Sequence, residues 1–265
     1  MVEVVRTSSL AEAAAEMSPD ARFIGGGTLV MRDLNYGDQR FRRVVRTTDP
    51  SLKELRIEAS RIVLGAGVTM AAILARRDLD FLHPPARSVG GPAVRNMATI
   101  GGNLFAPHPY GDIAAALLAL DATVELADGA QIGLADLLAR RDADAGLVRA
   151  VSIARPDSGT FRYRKVSRVK PKGVSLLCMA AWLNRRAGRL ADVRLVYGAM
   201  ALTPVRVPAV ERALEGASLD RAGIAQALAV ATDGLNPPDD SLASGWYRRE
   251  VAPVHLRRLL LSEDR

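Results

Sequence analysis

Helical and extended hydrophobic patterns alternate along the first 158 residues of the chain. Apolar positions spaced three and four residues apart predict helices, and short β-branched runs that end in glycine or threonine predict strands. The predicted helices are 9–17, 28–34, 69–78 and 112–120, and the predicted strands are 21–26, 42–47, 61–67, 122–126 and a strand after Val148. This alternation is typical of an α/β arrangement.

The pattern changes after the breaker run RPDSG at 155–159. Two long apolar runs at 174–183 and 190–200 flank the turn-like NRRAGR, which predicts an antiparallel hairpin. Helical patterns follow at 208–216, 220–234 and 246–261. We therefore predict two domains, 1–158 and 159–265. The first mixes helices and strands, and the second combines an antiparallel sheet with helices, so the fold class is α+β (mixed α/β).

The composition of the chain excludes several classes of protein and of site. A chain of 265 residues that is 49% hydrophobic can bury two cores. Its longest apolar runs, such as 113–120, are shorter than the roughly 20 residues that span a bilayer, and the first residues lack an export signal, so a cytoplasmic protein is expected. The single cysteine, Cys178, and three scattered histidines do not have metal-ligand spacing. No metal site is therefore expected in this chain.

Positive charge is concentrated at 161–172, where FRYRKVSRVKPK contains six basic and no acidic residues within a net charge of +7. Such a cluster is either a solvated surface or a contact to the phosphates of a cofactor. Nucleic acid is not expected as a partner, because no aromatic side chains interleave the charges in a stacking platform.

Three glycine clusters stand at 24–30, 64–74 and 98–103. Glycine lets backbone N–H groups converge on a phosphate, especially where a helix begins. In the second cluster, strand residues lead into Gly65 and Gly67 as in a dinucleotide-binding Rossmann unit, but Met70 occupies the third glycine position. A tight turn is therefore the favoured interpretation of that cluster. The first and third clusters can form two loops that face phosphate.

Five ordered segments resemble the FAD-binding medium subunit of the molybdenum hydroxylases, the family that includes carbon monoxide and xanthine dehydrogenases. They are IGGGTLVMRDL, SVGGPAVRNMATIGGN with the later Asp112, FRYRKVSRV, YGAMALTPVRVPAVE and PPDDSLASGWYRRE. The resemblance covers nearly the whole chain. It implies a two-part FAD-binding domain of the PCMH type followed by the C-terminal domain.

The resemblance also implies a cofactor site. The first loop would wrap the FAD pyrophosphate with backbone N–H groups, and the second would add the Thr99 hydroxyl and the Asn103 amide. Asp112 would contact the cofactor, and it is also expected to cap the following helix. An apolar residue would line the adenine and a lysine would lie near the cofactor. The implied residues are Ile24, Gly25, Gly26, Gly27, Thr28, Leu29, Val30, Thr99, Ile100, Gly101, Gly102, Asn103, Asp112, Val148 and Lys165.

The chain departs from the family pattern at two places. Leu29 stands where an aspartate is common, so the first loop is expected to hold the cofactor through its backbone. His108 and Tyr110 replace small residues in the loop before Asp112, and a cofactor contact and simple exposure both stay open for them. Trp182 and Tyr197 lie in predicted strands and are expected in the core rather than in the site.

The function implied by the resemblance is that of an oxidoreductase subunit, active within a complex, with no catalytic side chain of its own. FAD would pass electrons from the [2Fe-2S] clusters of a small partner subunit to an external acceptor. Molybdopterin would lie in a large partner subunit, in a dimer of heterotrimers. Two rivals stay open: a Rossmann-type NAD(P) oxidoreductase that uses Gly65 and Gly67, and a basic binding module without enzymatic activity.

Overall fold

A computed structural model describes residues 2–38, 40–141, 146–169 and 173–263 of the chain. The strands are β1 Glu3–Thr7, β2 Ala21–Phe23, β3 Arg43–Thr47, β4 Leu55–Ile57, β5 Arg61–Gly65, β6 Thr123–Leu126, β7 Gln131–Gly133, β8 Val148–Ala154, β9 Phe161–Ser167, β10 Ser175–Trp182, β11 Arg185–Arg186, β12 Arg189–Leu190, β13 Arg194–Gly198 and β14 Val205–Arg206.

The α-helices are α1 Leu10–Ala15, α2 Val30–Asn35, α3 Met70–Leu74, α4 His83–Ser88, α5 Pro92–Met97, α6 Ile100–Leu104, α7 Asp112–Ala119, α8 Leu134–Arg140, α9 Pro208–Leu214, α10 Ala225–Ala229 and α11 Gly245–Leu260. Two 3₁₀ segments lie at Pro50–Lys53 and Arg77–Leu82.

A small parallel sheet forms the N-terminal part, with strand order β1-β3-β2. Ser9 caps α1 by accepting a hydrogen bond from the Glu12 N–H, as expected for a serine before a helical pattern. Ala13 of that helix packs on Ala21 and Val45 in a small core. Strand β1 has no fully buried residue, and its sequence EVVRT is too short to show a period, so it was not predicted.

A five-stranded antiparallel sheet follows, with strand order β4-β5-β8-β6-β7. Its inner face packs on a core that includes all of α7 except its first, polar residue. Every residue of α7 is buried, which is why the run IAAALLAL has no polar face. The Asp128-Gly129 turn joins β6 to β7, and an Asp-Gly pair between two strands is typical of a hairpin.

A second antiparallel sheet, ordered β14-β13-β10-β9, forms the C-terminal part. The predicted hairpin is confirmed, since β10 pairs with β13, and the short β11-β12 ribbon lies between them. Strand β10 is buried on both faces: Leu177 and Met179 contact the core beneath α9 to α11, and Cys178 and Ala180 contact the core around α7. The mixed fold class is confirmed, and the domain boundary near 158 stays a prediction.

Candidate functional site

The first glycine segment, 24–30, connects β2 to α2 and carries a run of free backbone donors. Ile24 N–H donates to the Val45 carbonyl at 2.8 Å, and Met31 N–H donates to the Gly27 carbonyl at 2.9 Å. Between them, the six N–H groups from Gly25 to Val30 have no acceptor among the residues that the structure describes. Consecutive free N–H groups at the start of a helix form an anion-binding concavity.

Glycine is required in this segment because it lies directly against residues 97–99. A Cβ atom on Gly26 would lie 1.6 Å from the Met97 carbonyl oxygen, and one on Gly25 would lie 2.7 Å from Thr99 Oγ1. Gly27 has φ +71°, a conformation that side chains disfavour. The structure thus brings the first and third glycine clusters into contact, although about 70 residues separate them in sequence.

The third cluster is a helical turn rather than the open loop expected from the sequence. Thr99 caps α6 by accepting from the Gly102 N–H at 3.1 Å. Ile100 and Gly101 N–H donate to the Val68 and Ala66 carbonyls at 2.9 and 2.8 Å, and the Asn103 N–H donates to the Thr99 carbonyl at 3.0 Å. The backbone donors from Ile100 to Asn103 are therefore already used inside the protein. A contact between residues 100–103 and the cofactor stays a prediction.

The second glycine cluster supports the third, and the Rossmann alternative is wrong. Strand β5 pairs antiparallel with both β4 and β8, whereas a Rossmann unit needs parallel strands. Gly65 and Gly67 lie where the backbone of Leu52 passes, and a Cβ on them would come within 2.3 and 2.9 Å of its carbonyl oxygen. The favoured interpretation as a close turn is confirmed.

Asp112 and Lys165 form a buried ion pair between the two predicted domains. Lys165 Nζ donates to Asp112 Oδ2 at 2.9 Å and to the Ser88 carbonyl at 2.7 Å. Ser175 Oγ donates to Asp112 Oδ1 at 2.5 Å. Only 9% of the Asp112 side chain and 13% of the Lys165 side chain are exposed. Sequence reasoning missed Ser88 and Ser175, because only the tertiary packing of α4 and β10 brings them here.

Asp112 does not cap α7, contrary to expectation. The N-cap position is Gly111, which has φ +107°. The free N–H groups of Ile113 and Ala114 donate instead to Asn103 Oδ1 at 3.0 and 3.1 Å. Asn103 thus replaces Asp112 as the capping side chain, and its amide nitrogen has no acceptor among the described residues. Asp112 is the first residue of the helix and its carboxylate faces Lys165.

Tyr163 and Cys178 lie beside this ion pair, where burial opposes the ionisation of both side chains. Burial, together with the Asp112 charge, raises the pKa of the Tyr163 phenol well above its usual value. The same two causes raise the pKa of the Cys178 thiol, so the thiolate needed for redox or nucleophilic chemistry is suppressed. Tyr163 Oη lies 3.1 Å from Ser88 Oγ, which joins it to the same polar cluster.

Val148 begins β8 and is buried in the first core, with 5% of its surface exposed. The next residue, Arg149, accepts the Ala66 N–H at 2.8 Å through its carbonyl, so Val148 lies close to the second glycine cluster. A role against the adenine stays a prediction for this residue.

His108 and Tyr110 both bind protein groups. His108 Nε2 lies 2.8 Å from Asp240 Oδ2 and Nδ1 lies 3.1 Å from the Ala201 carbonyl oxygen. Tyr110 Oη accepts from Arg32, whose guanidinium also lies over the Tyr110 ring. Only 12% of the His108 side chain is exposed, so the interpretation of this residue as simply exposed is wrong.

Three of the six basic residues in the segment 161–172 bind protein groups. Arg162 donates to the Leu259 and Leu260 carbonyls, and Arg164 donates to the Glu263 carbonyl, so both hold the C-terminal end of α11. Lys165 points to the opposite face and meets Asp112. Lys170 and Lys172 lie outside the described residues. The alternation of the strand therefore places Arg162 and Arg164 against the end of α11 and Lys165 against Asp112.

The two aromatic residues left out of the site behave as expected. Tyr197 is fully buried in the second core, and Trp182 packs against the first core with the Arg194 guanidinium 4.7 Å above its ring. Within the described ranges, no group of three histidine, cysteine or acidic side chains is placed to hold a metal ion. No helix among the described residues is long and apolar enough to cross a membrane.

Two family models match the chain. The model described as the FAD-binding domain in molybdopterin dehydrogenase matches residues 1–153, and that of the C-terminal domain of CO dehydrogenase flavoprotein matches 161–262. The carbon monoxide dehydrogenase medium chain of Afipia carboxidovorans is 28% identical, over 96% of this chain and 93% of that one. The xanthine dehydrogenase FAD-binding subunit of Escherichia coli O157:H7 is 26% identical, over 81% and 80%.

Solved structures give the same result. A chain of the reconstituted CO dehydrogenase from Oligotropha carboxidovorans superimposes with a TM-score of 0.87 at 25% identity, over 98% of this chain and 96% of that one. A chain of quinoline 2-oxidoreductase from Pseudomonas putida 86 superimposes with a TM-score of 0.84 at 25% identity, over 99% and 96%.

Proposed function

The chain belongs to the family of FAD-binding domains in molybdopterin dehydrogenases, and on that premise we propose that it passes electrons from the [2Fe-2S] clusters of a partner to an external acceptor. FAD is its cofactor, and it is an oxidoreductase subunit as its relatives are. When bound, FAD can exchange electrons both singly and in pairs, which is the chemistry this role requires.

The run of N–H groups from Gly25 to Val30, which have no acceptor among the described residues, is the observation that supports a place for FAD in this chain. These donors suit a pyrophosphate, and their partial positive charge is increased by the start of α2. Leu29 has no carboxylate to oppose a phosphate. The residues present therefore fit the cofactor, with the first glycine segment as its principal anchor.

The other predicted residues have smaller or supporting roles in the proposal. Thr99 and Asn103 contribute the hydroxyl proton and the amide nitrogen that their capping bonds leave free. Asp112 and Lys165 stay joined and meet the cofactor through their small exposed fractions. Ile100, Gly101 and Gly102 act as a packed support for the first segment, and Val148 lines the adenine.

The partners are the second part of the proposal. The described residues contain no metal-ligand group of their own, and the relatives named above include a medium chain of a carbon monoxide dehydrogenase. We propose a large molybdopterin subunit, a small [2Fe-2S] subunit and this chain, arranged as a dimer of heterotrimers. The proposed compartment is the cytoplasm. Isolation of the tagged chain from its native cells, followed by mass and metal analysis of the complex, tests this arrangement.

A charge change in the first glycine segment tests the anchor without disturbing the fold. Thr28→Asp places a carboxylate at the start of α2, where it favours the helix but repels a pyrophosphate. We expect its melting temperature to be unchanged or higher and its Kd for FAD to rise about tenfold or more, which is about 1.4 kcal/mol. Thr28→Ala, which keeps every N–H group and adds no charge, should bind FAD as the wild type does.

The readout is a titration of the flavin-free full chain with FAD, followed by flavin fluorescence and by the visible spectrum. A Thr28→Asp chain that binds FAD as tightly as Thr28→Ala would refute the anchor. A wild-type chain that binds no FAD after reconstitution would refute the proposed function as a whole.

A further inference from the structure

The loop between α6 and α7, residues 105–111, joins separate parts of the molecule. We call it the linking loop. Tyr110 contacts Arg32 of α2, and the Ala106 carbonyl accepts from Arg141 at 2.9 Å. His108 reaches the C-terminal part through Ala201 and Asp240. The loop begins after Asn103 and ends before Asp112, so its position affects two residues assigned to the cofactor site.

His108 lies between two groups that can only accept hydrogen bonds. The Ala201 carbonyl oxygen faces Nδ1 at 3.1 Å, and the Asp240 carboxylate faces Nε2 at 2.8 Å. A neutral imidazole has one N–H group, whereas an imidazolium has two. Both contacts are therefore hydrogen bonds only when the ring is protonated at both nitrogens.

Asp240 is fixed as an ionised acceptor. Its Oδ1 accepts the Leu242 and Ala243 N–H groups at 2.8 and 3.0 Å, and its Oδ2 also accepts from Arg248 at 2.7 Å. Burial raises the pKa of this carboxyl, but the donated hydrogen bonds outweigh burial and hold the pKa at about 2. Asp240 thus carries no proton to donate to His108 near neutral pH.

Arg248 in turn holds Asp240 in place. Its side chain is fully buried, and it donates to the carbonyls of Leu176, Pro238 and Ala243 at 2.9, 2.6 and 2.8 Å. The acceptor for His108 is therefore linked through Arg248 to β10 and to the loop at 238–243.

We propose that His108, as an imidazolium, is a positioning residue that fixes the linking loop against the C-terminal domain and so holds Asn103 and Asp112 in place for FAD. The charged group that contacts it is the Asp240 carboxylate, and Arg248 lies behind that carboxylate. Arg141 donates to the carbonyl of Leu202, the residue after Ala201 in the bend between β13 and β14, and Arg32 donates to the neighbouring Tyr110. Loss of one ring proton removes one of the two bonds and loosens the loop.

This inference rests on the proposed function, and a pH profile of FAD affinity tests it. The full flavin-free chain is titrated with FAD between pH 5 and 9, a range that brackets the usual titration of histidine. We expect the Kd of the wild type to rise about fivefold to tenfold with pH, as one charge-assisted hydrogen bond is lost. His108→Gln should show the weaker affinity at every pH and a flat profile.

The matched control is His83→Gln, because His83 is another histidine whose ring contacts a backbone carbonyl, that of Arg76, but it lies outside the linking loop. It should keep the wild-type profile. His108→Arg, which keeps a permanent cation with several donors, should bind tightly with a flat profile. If His108→Gln does not fold, ¹⁵N NMR of the wild-type histidine rings takes its place: FAD affinity should fall over the interval in which the His108 ring loses a proton.

The two possible failures are distinguishable. A wild-type chain that binds no FAD at any pH overturns the proposed function. A chain that binds FAD with a profile that His108→Gln leaves unchanged, or with affinity that does not follow the protonation of the His108 ring, overturns the role of His108 alone.

Discussion

Removal of the Lys165 ammonium should destabilise the contact between the two predicted domains. Lys165→Met keeps the aliphatic stem but removes the ammonium that the Asp112 carboxylate and the Ser88 carbonyl both accept from, while the Ser175 hydroxyl still donates to Asp112. Breaking one side of a buried ion pair costs about 3 to 5 kcal/mol. For a chain of this size about 2 °C of melting temperature correspond to 1 kcal/mol, so a decrease of about 6 to 10 °C is expected.

The assay is thermal unfolding of the flavin-free chain by circular dichroism, with Lys53→Met as the control, since Lys53 is an exposed lysine on a 3₁₀ segment. Asp112→Asn in the Lys165→Met background should recover part of the loss, because the uncompensated charge is then gone. A decrease below about 2 °C for Lys165→Met, or strict additivity in the double variant, would refute the buried-pair argument.

Three further outcomes follow from the same contacts. Gly26→Ala should separate the first glycine segment from residues 97–99 and abolish FAD binding. The control is Gly133→Ala, whose Cβ would meet only the Asp136 carboxylate at 3.3 Å and which should bind FAD normally. A fluorescence titration with FAD measures the affinity of both variants. Asn103→Ala should lower the free energy of unfolding by about 1 to 3 kcal/mol, because the N–H groups of Ile113 and Ala114 lose their acceptor. Denaturant unfolding measures this loss, with Asn103→Asp, which keeps an acceptor, as the control. Folding lowers the pKa of Asp240 to about 2, so its carboxylate contributes fully to stability above about pH 4 and this contribution is lost as the pH falls towards 2. Acid unfolding curves should show this pH dependence in the wild type and not in Asp240→Asn.

Local sequence patterns predicted the elements whose stability is local. The cap at Ser9, the buried helix after Asp112 and the hairpin of β10 and β13 all have short-range signals, and all are present. Strand β1 was missed because its pairing with β3 depends on residues about 40 positions away. The contacts of Ser88 and Ser175 with the ion pair could not be predicted for the same reason, because they form only when α4 and β10 pack together.

The third glycine cluster shows that a glycine-rich segment can pack against backbone as well as face a phosphate. ATIGGN predicted an open loop, and its glycines do permit a close approach, but the approaching group is the Ala66 backbone, 3.1 Å from where a Gly101 Cβ would lie. Composition alone does not distinguish a phosphate from a carbonyl as the neighbour of a glycine. Only the hydrogen-bond partners do, and they assign the free donors to the first cluster.

Hydrogen exchange of the backbone amides tests most directly the claim that the first glycine segment holds FAD. In the flavin-free chain, amides 25–30 should exchange rapidly, because they have no acceptor among the described residues, and amides 100–103 should already be protected. Saturating FAD should protect 25–30 strongly and change 100–103 little. Unchanged rapid exchange at 25–30 in the FAD-bound chain would contradict the account.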